Sequence, residues 1–201
     1  VRETSDRDLE ARINNHLGTL YWENGRTEKS LSCYKEAYRN YEMEQNKIGM
    51  TNTLRNIGKS MHGLEKLDSA YFYLDRAFVF AKNENLESQM AYILSSMGSI
   101  YAEKGLYEKA LAYQKESLNY SRIQNTKSSC YYAIGESYVN IQKLDSALLY
   151  VDSALMSKDL YVKCSANWLL YTICLKKQDY KKACTYNERY LLLRDSIEQV
   201  Y

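Results

Sequence analysis

The sequence predicts an all-α protein of about five helix pairs, each stacked on the next, and three observations carry that prediction. A stretch of alternating small and large apolar residues around a Gly-centred turn recurs five times. Its cleanest copy runs from Ser96 to Leu118, with Met97, Gly98, Tyr101, Gly105, Tyr107, Ala110 and Ser117 as its skeleton. No proline occurs among the 201 residues, which fits uninterrupted helices because proline costs about 3 kcal/mol inside one. There are also 21 tyrosines, a residue suited to stacked helices whose rings are half buried while the hydroxyl stays wet.

Taken in order, the first copy places Leu17, Gly18, Tyr21, Gly25, Ser30, Tyr34 and Ala37. The second places Ile57, Gly58, Met61, Ala70, Leu74 and Ala77, and the third is the stretch above. The fourth places Ile134, Gly135, Tyr138, Leu144, Ala147, Val151 and Ala154; the fifth has Leu170, Tyr171, Cys174, Tyr180, Ala183 and Tyr190. Gly18, Gly58, Gly98 and Gly135 fall mid-helix, where glycine costs up to about 1 kcal/mol against alanine. Close approach of a partner helix offsets that cost. One pair cannot bury its apolar face alone, so the pairs are expected to stack, each touching only its neighbours.

These registers resemble the tetratricopeptide repeat (TPR), whose pattern is W-x2-L-G-x2-Y, then A-x3-F, then P. Leu17-Gly18-x2-Tyr21, Met97-Gly98-x2-Tyr101 and Ile134-Gly135-x2-Tyr138 match its L-G-x2-Y part, and Ser30, Ala70, Ala110, Ala147 and Ala183 match its small residue. The resemblance implies a right-handed α-solenoid as a single superhelical domain over residues 1–201, with repeats at about 8–46, 48–84, 87–124, 127–158 and 160–199. Asn14, Leu54, Leu94, Tyr131 and Asn167 stand where the pattern has Trp, and its closing Pro is absent. Successive glycines lie 40, 40 and 37 residues apart rather than the roughly 34 of the pattern. The extra residues fall around Asn46–Met50 and Asn83–Ser88, where longer second helices or turns are expected, with Asn residues as caps. Such long repeats resemble the arrays of sensor and regulator proteins, as in bacterial signalling, and imply membership of a longer polypeptide.

Composition narrows the function. A hydrophobic fraction of 45% and a charged fraction of 26% belong to a folded globular chain. The longest apolar run, Trp168 to Leu175, is far short of the roughly 18 residues of a membrane span. No signal peptide is visible, and the chain opens on Val1 rather than Met, so an upstream piece is expected. Lys and Arg number 27 against 25 Asp and Glu, a balance that argues against a nucleic-acid surface. Cys33, Cys130, Cys164, Cys174 and Cys184 are odd in number and have no CxxC spacing, so they read as buried apolar filler. Unpaired thiols fit a reduced cytoplasm; a periplasmic sensor domain fits if an upstream signal was removed.

Both ends depart from the pattern. Ser5 with Asp6 and Asp8 reads as a helix start, with Leu9, Ile13 and Leu17 as the inward face. In the last pair Tyr171 replaces Gly and Tyr190 replaces Ala, after which Tyr190, Leu193, Ile197 and Val200 form an apolar stripe. That stripe covers the last hairpin, forms a homodimer, or meets further chain.

No constellation for chemistry is apparent. His16 and His62 are the only histidines, in different repeats, and no metal-ligand spacing, P-loop or nucleophile motif occurs. No cofactor or metal is therefore expected, and the chain is not expected to be an enzyme. Asp68, Asp145 and Asp179 recur at the starts of second helices, where they favour the helix dipole. Asn119-Tyr120-Ser121 is a glycosylation sequon by pattern, idle on a helix.

Function is accordingly expected on the face of the first helices, counted from the Gly register. The first repeat offers Arg12, Asn15, Thr19 and Trp22, and the second Asn52, Arg55, Lys59 and His62. The third offers Tyr92, Ser95, Ser99 and Ala102, the fourth Ser129, Tyr132, Glu136 and Val139, and the fifth Ser165, Trp168, Thr172 and Leu175. Arg55, Lys59 and His62 make a basic stripe beside Arg12, flanked by Trp22 and Tyr92, suited to a peptide carrying carboxylates. Co-chaperone members of the resembled family clamp a carboxylate with Lys and Asn at set groove positions. Asn15 and Asn56 match two of these, while Thr19, Tyr92 and Ser96 stand at others, so a chaperone tail is not the expected ligand. The expected role is a protein- or peptide-binding scaffold, the sensory or interaction part of a larger regulator. The alternative is homodimerisation through Tyr190, Leu193 and Ile197.

Overall fold

A computed structural model of the protein describes residues 2–199. Among them are ten α-helices and no strand: α1 (Arg2–Glu23), α2 (Thr27–Met43), α3 (Lys47–Gly63), α4 (Leu67–Asn83), α5 (Glu87–Glu103), α6 (Tyr107–Tyr120), α7 (Gln124–Asn140), α8 (Leu144–Ala154), α9 (Leu160–Lys176) and α10 (Tyr180–Glu198). α1 begins at Arg2, ahead of the start expected at Ser5. Val200, the last member of the expected C-terminal stripe, lies outside the described residues.

One turn recurs through the chain and sets its period. Gly25, Gln45, Glu65, Asn85, Gly105, Gln142 and Gln178 all have positive φ, between 53° and 71°. Each follows a helix end closed by a pair of bonds: Arg26 N donates to Tyr21 O at 2.8 Å and Gly25 N to Trp22 O at 3.0 Å. The same pair recurs at all seven turns, for instance Lys66 N to Met61 O with Glu65 N to His62 O. These are Schellman closures, which satisfy the orphan carbonyls of a helix end. The residue after each positive-φ position then opens the next helix, so helices follow one another without a loop. From α2 to α5 each helix is 17 residues long, which with the short turns produces the 40-residue repeat. Of the residues expected as caps, Asn46 opens α3 by accepting from Gly49 N at 2.9 Å, and Asn85 supplies a positive φ.

The chain divides into two compact units, Val1–Ile100 and Tyr101–Tyr201. In the first, α1 pairs with α2 and α3 with α4, and α2 packs on α3. Its buried clusters are Ala11, Ala37, Tyr41 and Met50, and Leu31, Tyr34 and Ile57. Mid-helix glycines lie where the second helix of the pair presses in. A Cβ on Gly58 would stand 2.8 Å from Leu74 Cγ and 3.2 Å from the Ala70 carbonyl oxygen, and one on Gly18 would stand 2.6 Å from the Tyr34 ring.

In the second unit α7 pairs with α8 and α9 with α10, while α6 packs on α7 and α8 on α9. Val139, Ala147, Val151, Ala154, Ala166, Leu169, Leu170 and Ile173 form its core. Gly135 repeats the close approach, since a Cβ there would overlap Val151 Cγ2.

One expectation is corrected. Leu9, Ile13 and Leu17 do not form an inward face: all three are exposed, and α1 buries Ala11 and Gly18 instead. An apolar stripe marks a face that prefers cover, and in α3, α7 and α9 the preceding second helix supplies it.

Candidate functional site

The most distinctive polar surface lies in the first unit, where α3 meets α1 and α5. Arg55, Asn56 and Lys59 of α3 and Tyr92, Ser95 and Ser96 of α5 line a cleft of about 510 Å³. Helical spacing aligns these side chains, for Arg55 and Lys59 are four apart on one face, as are Tyr92 and Ser96.

Arg55 is held from two sides. Its guanidinium lies over the Tyr92 ring at 5.7 Å from the centroid, and Nη2 donates to Asn56 Oδ1 at 3.4 Å. Asn56 is fixed in turn, its Nδ2 donating to Asn15 Oδ1 at 3.2 Å, where Thr53 Oγ1 also donates at 3.4 Å. Thr19 Oγ1 donates to the Asn15 carbonyl at 3.1 Å and lies 3.1 Å from the Tyr34 hydroxyl. Asn15 thus supports Asn56, which positions Arg55, while Thr19 bonds within α1 and to Tyr34. The Lys59 ammonium lies over the Trp22 ring, 3.8 Å from its centroid.

Arg55 is half-buried and Lys59 exposed. Burial pulls the Arg55 pKa below its ordinary value. Lys59 is lowered too, first by burial and then by the Arg55 charge, with Glu23 opposing. Among the described residues no carboxylate lies within ion-pair distance of either cation.

The remaining expected residues are placed as follows. Arg12 is exposed and acts on Tyr41 rather than joining Arg55. Asn52 and His62 are half-buried on α3, and Ser99 Oγ donates to the Ser95 carbonyl at 3.3 Å. In the second unit Tyr132 donates to Glu136 Oε1 at 3.2 Å, and burial, with the Glu136 charge, raises its pKa strongly. Trp168 packs its ring against Tyr171 and Tyr190, with centroids 5.3 and 5.0 Å away. Val139 belongs to the core rather than to a binding face. Tyr190, Leu193 and Ile197 are half-buried, while Leu192 between them is exposed. Among the described residues no three His, Cys, Asp or Glu side chains gather as a metal would require, and no helix is long and apolar enough to cross a membrane.

One feature of the cleft exceeded the sequence reading: the Asn15–Asn56 bond. The spacing between Asn15 and Asn56, one residue more than the repeat, was a signal for it.

The architecture is that of an all-α helical-repeat protein. The sequence model of the tetratricopeptide repeat matches residues 11–42 and 91–123. No curated protein matches the sequence. Among solved structures, BtubC (BKLC) from P. vanneervenii is similar at 17% identity and a TM-score of 0.79, with 98% of this chain and 91% of that one covered. MamA (41-end) from Desulfovibrio magneticus RS-1 is similar at 16% identity and a TM-score of 0.69, over 93% of this chain and 96% of that one. Aspartyl phosphate phosphatase F from Bacillus subtilis gives 16% identity and a TM-score of 0.78, over 94% of this chain and 60% of that one. Each likeness is one of fold.

Proposed function

We propose that the protein is a non-catalytic scaffold whose first unit binds an acidic peptide segment of another protein in the Arg55 cleft. One observation carries the reading: a half-buried Arg55, stacked on Tyr92 with Lys59 beside it, lines an open cleft and has no carboxylate within ion-pair distance among the described residues. A carboxylate entering the cleft would meet the guanidinium and the hydroxyls of Ser95 and Ser96. Tyr92 and Trp22 would flank it with aromatic surface, the residue type that anchors interfaces. Service as the interaction part of a larger regulator belongs to the same proposal and rests on the repeat architecture. The half-buried Tyr190, with its ring on Trp168, supports the C-terminal stripe as cover for the last hairpin rather than as a homodimer seam.

The test is fluorescence anisotropy with a labelled decapeptide of alternating Glu and Leu, beside its Lys-for-Glu counterpart. The acidic peptide is expected to bind, more weakly as salt rises, and to lose at least tenfold in affinity with Arg55→Gln. Equal anisotropy for both peptides, or for both proteins, overturns the reading.

A further inference from the structure

The fifth helix pair lacks a large side chain that each pair before it supplies. Take the positive-φ residue that closes each first helix as the reference. Four residues before it stand Tyr21, Met61, Tyr101 and Tyr138 in the first four pairs, and Cys174 in the fifth. In the third and fourth pairs that tyrosine stacks on a second one, eight residues past the reference. Tyr101 and Tyr113 are nearly parallel, at 7° with centroids 5.2 Å apart, and Tyr138 and Tyr150 stack at 5.5 Å. Two cations attend these rings. Lys109, four residues past the reference, lies over the Tyr101 ring at 5.6 Å from its centroid. Lys115, on the second helix of the preceding pair, donates from Nζ to the Tyr138 hydroxyl at 2.8 Å.

The fifth pair has the same attendants around a smaller residue. Tyr186 stands where Tyr113 and Tyr150 do, Lys182 where Lys109 does, and Asp152 of α8 where Lys115 does. Cys174, 4% exposed, is far smaller than a phenol, and a cavity of about 150 Å³ opens beside it, lined by Leu148, Asp152, Lys182 and Tyr186 among others. A cavity of roughly this size holds one benzene-sized molecule. Lys182 Nζ pairs with Asp179 Oδ2 at 3.3 Å, and Asp179 lines the same cavity. Arg189 lies 5.9 Å from the Tyr186 centroid but does not line it. The lining comes from α8, α9, α10 and the turn before α10, and in the third and fourth pairs the ring at this place belongs to the pair itself. The cavity therefore follows from the residue at 174, not from where the chain ends.

We propose that this cavity binds a small phenol, whose ring lies on Tyr186 as Tyr101 lies on Tyr113 and Tyr138 on Tyr150. Tyr186 offers the guest an aromatic face for offset stacking, and the Lys182 ammonium is the cation for the ring's electron-rich face. Where Lys115 donates to Tyr138, the Asp152 carboxylate can only accept. It therefore selects a ring that carries a hydrogen-bond donor. This site lies in the second unit and does not depend on the Arg55 cleft.

The test is a titration of phenol into the isotope-labelled protein, beside two controls of similar size. Cyclohexanol keeps the hydroxyl without an aromatic face, and toluene keeps the ring without a donor. Phenol is expected to give saturable shifts at Cys174, Lys182 and Tyr186, with affinity at least tenfold weaker for either control. Cys174→Tyr, which installs the ring of the third and fourth pairs, should abolish saturation, whereas Arg55→Gln should leave it unchanged. Circular dichroism checks folding, and Cys174→Phe replaces Cys174→Tyr if the latter loses helix; the comparison of ligands on the native chain stands without either variant. Equal binding of phenol and a control overturns the proposal, as do shifts that fail to saturate or fall elsewhere, or unchanged phenol binding by a folded Cys174→Tyr.

Discussion

At the scale of single residues, two glycines on α3 separate packing from propensity. A Cβ on Gly58 would press on Leu74 Cγ, a branch point, and on the Ala70 carbonyl oxygen. Neither can give way without moving α4. Overpacking of this kind costs about 1–3 kcal/mol, against a helix-propensity gain of up to about 1 kcal/mol. Gly58→Ala is therefore expected to lower stability by about 1–2 kcal/mol, measured as a shift in urea midpoint at constant slope. On Gly63 a Cβ meets only Trp22 Nε1, at 3.8 Å, so Gly63→Ala should be neutral or slightly stabilising in the same assay. The close-approach glycines were legible because mid-helix glycine has a propensity cost that must be offset. Arg55 was legible as a charge on the right face but not as a half-buried one. Its burial depends on Tyr92, some forty residues away, and on a hydrogen-bonded chain from Asn15 through Asn56 that no single repeat contains.

At the scale of elements, the turns decide the period, and sequence shows only some of them. Gly25 and Gly105 signal a positive φ by their identity, whereas Gln45, Glu65, Asn85, Gln142 and Gln178 adopt it with a side chain. An L-residue in that region costs about 1–2 kcal/mol, while glycine loses roughly 0.5–1 kcal/mol of chain entropy. Glu65→Gly should therefore stabilise the α3–α4 turn by about 0.5 kcal/mol; a lower midpoint in chemical denaturation would show that Glu65 makes a compensating contact. Asn46 is the converse. Its side chain caps α3 through Gly49 N and also donates to Asp8 Oδ1 at 2.9 Å, tying α3 to α1. Asn46→Ala should lose about 1 kcal/mol, visible as a lower melting temperature. Helical periodicity likewise identified the stripe Leu9, Ile13 and Leu17 but assigned it to the interior. Periodicity reports which face is apolar; whether a neighbour covers that face depends on the stack.

At the scale of the whole molecule, the tyrosines tie stability to pH. Burial is the largest cause raising the pKa of Tyr34, Tyr38 and Tyr41 in the first unit and of Tyr132 and Tyr186 in the second. A phenol whose folded pKa exceeds its unfolded one favours the native state fully while pH stays below the unfolded value of about 10. Above that pH the unfolded chain releases protons that the folded one keeps, so stability falls as pH climbs toward the folded values. Lys115, raised by its hydrogen bond to Tyr138, acts in the same direction. Lys59, lowered mainly by burial, acts in the opposite one, since removing its charge relieves a desolvated cation. With five phenols against one ammonium, the expected result is a chain stable near neutrality that unfolds cooperatively above about pH 10. Absorbance at the tyrosinate band and circular dichroism, followed together, check this. Ionisation of the buried phenols should coincide with loss of helix, and Tyr132→Phe should move the alkaline midpoint upward because its phenol is raised the furthest and resists ionisation only while folded. Tyrosinate formation complete before any helix is lost would mean that these rings meet solvent in the native state.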